Sequence, residues 1–117
     1  VSAKTATRIA ALFGFLAVAL GAFGAHGLKD VLARNDMTEV WKTAALYHLV
    51  HAVVLLLLAS WKPFPNRTFR CFSAGIILFS GSLYLLALTN SKWLVAITPI
   101  GGVCLLAGWV ALAFRRS

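Results

Sequence analysis

The sequence predicts an all-α fold: an integral membrane four-helix bundle with a short interfacial helix between the first and second spans. Four apolar stretches of about twenty residues, 9–28, 43–61, 71–89 and 93–114, alternate with short segments that hold nearly every ionisable side chain. A helix rises about 1.5 Å per residue, so each stretch matches the roughly 30 Å hydrocarbon core of a bilayer. The composition agrees, with 61% apolar and 12% charged residues, too little polar surface for a soluble domain of 117 residues. The connections are too short to fold alone, so one four-span transmembrane domain, 1–117, is expected.

Lys4 and Arg8 precede the first span, whose apolar run exceeds that of a secretion signal and is followed by three more, so it is expected to be retained. Within it Gly14, Ala17, Gly21 and Ala25 recur at helical spacing, a strip that lets another helix approach closely in lipid. Between Lys29 and Asn35, Val31 and Leu32 among charged residues fit a helix lying in the interface. Asp36-Met-Thr-Glu39 has the spacing of a capping box, which would start the second helix before Trp41. Trp41, Trp61 and Trp93 fall at the predicted interfaces, where an indole buries its ring and keeps its N–H wet. Pro63 and Pro65 stiffen the turn to the third span. In the fourth span Gly101, Gly102 and Gly108 invite close packing, and Pro99 either kinks the helix or lets it start at Thr98 as its cap.

Lys and Arg set the orientation. An even number of spans puts both termini on one side with Lys4, Arg8, Lys62, Arg67, Arg70, Arg115 and Arg116, and with no acid. The other side carries Lys29, Arg34, Lys42 and Lys92 beside Asp30, Asp36 and Glu39, the only acids in the chain. Both termini are therefore expected in the cytoplasm, or in the matrix if the membrane is a mitochondrial inner one. Membrane insertion and anionic headgroups explain the net charge of +8, so no nucleic-acid partner is expected.

The histidines are the candidates for chemistry. His48 and His51 lie three apart on one helix, and Tyr47 neighbours them. Ser80, Ser82 and Tyr84 of the antiparallel third span and Thr98 of the fourth fall at a similar depth, and His26 ends the first span. These eight residues form a candidate polar pocket in the outer half of the bundle. A structural hydrogen-bond network, a pocket for a quinone, lipid or other small molecule, and haem or metal ligation all remain open. No carboxylate orients the histidines as metal ligands, so neither metal nor cofactor is assigned. With all three acids in one loop, carboxylate-driven antiport is disfavoured, although histidines, with an ordinary pKa of about 6.5, could carry protons in a small transporter. No nucleophile triad or phosphate loop is present, so no enzymatic activity is expected. Cys71 and Cys104 fall at different depths and are expected to be free thiols.

Four blocks, Gly21-Ala-Phe-Gly-Ala-His-Gly-Leu28, Thr43-Ala-Ala-Leu-Tyr-His-Leu-Val-His-Ala52, Phe79-Ser-Gly-Ser-Leu-Tyr-Leu-Leu-Ala-Leu-Thr89 and Ile97-Thr-Pro-Ile-Gly-Gly102, resemble in order the signature of the family called domain of unknown function 423. That family includes small bacterial inner-membrane proteins and the mitochondrial transmembrane protein 256-like proteins. The resemblance implies four spans and places its motifs on His26, Tyr47, His48, His51, Ser80, Ser82, Tyr84, Thr98 and Pro99, but it supplies no reaction. The expected role is an accessory or packing component of a membrane complex or homo-oligomer, with small-molecule binding and histidine-based transport as alternatives.

Overall fold

Ser2 starts the first helix: its hydroxyl accepts the Thr5 amide at 3.1 Å, and α1 runs from Ala3 to Ala25. The computed structural model describes residues 2–115. The expected short helix is present as α2 (Lys29–Arg34), which buries Leu32 and leaves Lys29, Asp30 and Arg34 exposed. α3 (Thr38–Leu58) forms the second span. The third runs from Asn66 to Thr89 as α4 (Asn66–Gly75), a π-helical turn (Ile76–Ser80) and α5 (Gly81–Thr89). A 3-10 segment (Lys92–Ala96) and α6 (Thr98–Ala113) make the fourth. All four are long and apolar enough to cross a membrane.

Three local expectations are corrected. Asp36 does not cap the second helix; it takes a left-handed conformation (φ 56°) at the end of α2, and α3 starts after Met37 without a side-chain cap. Glu39 instead reaches forward to Lys42 at 3.5 Å on the surface. Trp41 is not a wet interfacial indole: it is 2% exposed, and its N–H donates to the Leu20 carbonyl at 2.8 Å. Thr98 does not cap α6 but is its first residue, with Ile97 before it and Pro99 in the first turn, where a missing amide hydrogen costs no bond within the helix. Trp93 is exposed, and the Arg115 guanidinium lies 4.8 Å from the Trp61 ring centroid.

The helices pack in chain order. α1 lies on α3, α3 on the third span, and the third span on the fourth; among the described residues no substantial contact joins α1 to α6. The Cα atoms accordingly extend 49 × 26 × 18 Å, flatter than four helices in a square would be. One apolar cluster, centred on Leu55, Leu58, Phe72 and Leu105, fills the end near the chain termini. Another, around Leu32, Trp41, Leu86 and Leu94, fills the opposite end, and the buried histidines lie between them.

Small residues decide how closely the helices approach. A Cβ on Gly101 would stand 2.2 Å from the Phe79 amide nitrogen, so α6 can touch the π-turn backbone only because that side chain is missing. Gly108 likewise makes room for the Phe72 ring, whereas Gly102 faces the Phe79 ring at ordinary contact distance. On α1, Gly24 admits the Trp41 indole, and Ala6, Ala10 and Ala17 are buried. The anticipated strip is only partly used within the chain. A Cβ on Gly21 would meet Ala45 at 3.9 Å, Gly14 has nothing within 4 Å, and Ala25 is exposed.

Candidate functional site

Carbonyls, hydroxyls and ring nitrogens clasp the helices pairwise across each seam. This is the expected chemistry where lipid supplies no water to pair them. Trp41 holds α3 to α1 through the Leu20 carbonyl. The Ser80 hydroxyl donates to the Ala44 carbonyl at 2.8 Å, and His48 Nδ1 pairs with the Tyr84 hydroxyl at 2.9 Å, joining the third span to α3. Ser82 and Thr98 share a hydrogen bond of 2.6 Å between the third and fourth spans. The Asn35 amide donates to the Ala87 carbonyl at 2.9 Å, pinning the end of α2 to α5.

His51 is saturated. Its Nε2 accepts the Trp109 indole N–H at 3.1 Å, which puts the ring proton on Nδ1, and Nδ1–H donates to the Tyr47 carbonyl at 2.7 Å. The ring is 6% exposed and packs against Phe72, with centroids 5.5 Å apart. Tyr47, half exposed, tilts against Phe79 at 4.9 Å and stacks on the His51 ring. Tyr47, Phe79, Gly102, Leu106 and Trp109 border a lipid-facing groove of about 380 Å³ between α3 and α6.

His48 differs in one respect. It is 4% exposed and its Nε2 is buried without a hydrogen-bond partner, on a ring packed edge-on to Phe13 of α1. A second apolar groove, about 190 Å³, runs past this ring between α1 and the third span, bordered by Leu16, Leu20, Ile77 and Gly81.

The eight candidate residues therefore do not share one pocket. His48 and Tyr84 serve one groove, Tyr47 and His51 another, Ser80 bonds α3 backbone, and Ser82 with Thr98 form a separate clasp. His26, exposed at the end of α1, joins none of them. Along α3, His48 stands at the midpoint and His51 nearer Leu58. Among the described residues no three His, Cys, Asp or Glu side chains are grouped to hold a metal ion, and Cys71 and Cys104 are free thiols.

Sequence reasoning missed Trp109, the Asn35 clasp and the π-helical turn. An indole N–H within an apolar span needs an acceptor, which was the available signal for Trp109. Nothing in the pattern of residues 76–80 announces a π-turn.

Residues 20–102 match the family described as "Protein of unknown function (DUF423)". Similar proteins include a UPF0382 membrane protein of Haemophilus influenzae, 41% identical over 110 residues that cover 91% of this chain and 88% of the relative. The UPF0382 membrane protein YwdK of Bacillus subtilis is 40% identical over 110 residues, 89% of each chain. The UPF0382 inner membrane protein YgdD of Escherichia coli is 39% identical over 108 residues, covering 88% and 82%. No solved structure matches.

Proposed function

The chain belongs to the DUF423 family of four-span membrane proteins, and from that premise we propose that it is a non-enzymatic accessory component that packs into a larger inner-membrane assembly. One observation carries the reading: α1 packs mainly on one neighbouring span, α3, and turns an uncovered apolar face outward. Only 11% of its apolar window is buried, against 44% for the third span. On that face Gly14 has open space beside it, among the exposed side chains of Ala11, Phe15, Val18 and Ala22, so a second helix can seat there. The saturated His51 and the Ser82–Thr98 clasp support the same reading, because they act as fasteners rather than free reactive groups. Both termini face the cytoplasm in this reading, by the bias of basic residues.

Native mass spectrometry of the protein extracted from its own membranes in mild detergent tests it. A stoichiometric protein partner is expected for the wild type. Gly14→Leu should lose that partner while keeping its thermal stability, since a side chain there meets nothing within the chain. A wild-type protomer without partners would defeat the proposal.

A further inference from the structure

Charge is unevenly arranged where α1, α2 and α3 meet. The connecting region holds Lys29, Asp30, Arg34, Asp36, Glu39 and Lys42, yet of these only the two lysines border the cavity of about 430 Å³ formed there. Thr38 completes the polar rim at the start of α3, where no side chain caps the helix and the first-turn amides present their positive end. Below the rim the wall is apolar, made by Gly21, Trp41 and Ala45. The indole N–H is already committed to Leu20, so this wall offers a guest no polar contact. Glu39 competes for Lys42 only weakly: the two are 3.5 Å apart, with 86% and 69% of their side-chain surfaces exposed.

A cationic rim above an apolar cleft, at the depth where the spans end, matches a molecule with one anionic head and an apolar tail. We propose that this cavity binds one anionic phospholipid, its phosphodiester between the Lys29 and Lys42 ammonium groups and the start of an acyl chain along Gly21, Trp41 and Ala45. Inorganic phosphate would leave the apolar wall wet. A fatty-acid carboxylate would bring a smaller head to a rim that offers two ammonium groups and a helix start.

The test uses the full chain in a neutral detergent, with native mass spectrometry reading adducts of dioctanoyl phosphatidylglycerol, dioctanoyl phosphatidylcholine, octanoate and inorganic phosphate. One phosphatidylglycerol adduct is expected, formed in clear preference to the other three. Lys29→Gln with Lys42→Gln should weaken it at least about ten-fold, and Glu39→Gln should tighten it. Lys4→Gln with Lys92→Gln, which removes the same charge elsewhere, should change it less than about two-fold. All four lysines are exposed, so both double variants keep the fold. Equal binding of the two phospholipids, or equal loss in the two double variants, overturns the site. A preference for octanoate or phosphate over phosphatidylglycerol overturns the phospholipid as its occupant.

Discussion

Among the described residues, the Trp109 indole donating to Nε2 of His51 is the one side-chain hydrogen bond between α3 and α6. It matters because these helices flank the third span and share little backbone contact, so the pair closes a seam that apolar packing leaves loose. It also fixes the neutral His51 tautomer, whose other nitrogen returns to the backbone of its own helix.

Trp109→Phe keeps the ring and removes the donor, leaving a buried ring nitrogen unpaired. It should lower stability in detergent by about 1–2 kcal/mol, the scale of one clasp in a membrane protein plus part of the penalty for the orphaned acceptor. Adding His51→Phe to Trp109→Phe should cost less than the sum of the single changes. Strict additivity in a double-mutant cycle of thermal unfolding would show that the bond is not coupled.

Gly101 and Gly14 make a contrast that isolates packing from helix propensity. Alanine favours a helix over glycine by up to about 1 kcal/mol, so Gly14→Ala, facing open space, should be neutral or stabilising. Gly101→Ala places a methyl group 2.2 Å from the Phe79 nitrogen, and backbone cannot swing aside as a side chain can. A net loss of about 1–3 kcal/mol is expected by thermal unfolding, with the fourth span displaced from the π-turn. Equal stabilities for the two variants would mean that the helices do not meet there.

The orientation can be read with a membrane-impermeant thiol reagent in a background of Cys71→Ser and Cys104→Ala. Ser91→Cys, in the turn between the third and fourth spans, should be labelled from outside intact cells. Asn66→Cys, at the start of the third span, should be labelled only after permeabilisation. The reverse pattern would mean that the three acids beside Lys29, Arg34 and Lys42 do not dilute the basic signal as argued.

Spans and the interfacial helix were legible because bilayer thickness imposes a length and a polarity on any sequence that crosses it, as the stretch from Thr43 to Trp61 illustrates. The site was legible as residues but not as a grouping. His48 and His51 lie three apart, yet each belongs to a different groove, because α3 is central and both faces beside that spacing are occupied by neighbours. Helix order around the bundle depends on contacts far apart in sequence, such as Gly101 against Phe79, and no local pattern encodes it. Trp41 misled for the same reason: an indole at a span end is ordinarily wet, but Gly24 on another helix opens a place for it.

Asp36 offers the sharpest separation between the sequence reading and the structure. A capping box would make its carboxylate the acceptor for α3's first amides, and Asp36→Gly would then lose that bond while adding backbone freedom, a small net loss. In the structure Asp36 instead bears a left-handed φ of 56°, which costs a residue with a Cβ about 1 kcal/mol and glycine little. Asp36→Gly should therefore leave stability unchanged or raise it by up to about 1 kcal/mol, because relief of that strain outweighs the added freedom of the unfolded chain. Asp36→Val should cost more than 1 kcal/mol, since a β-branched side chain tolerates this conformation least. Thermal unfolding of the two variants in the same detergent ranks them. If Asp36→Gly lost stability instead, the left-handed turn would hold no strain for glycine to relieve, and the capping box would regain its place.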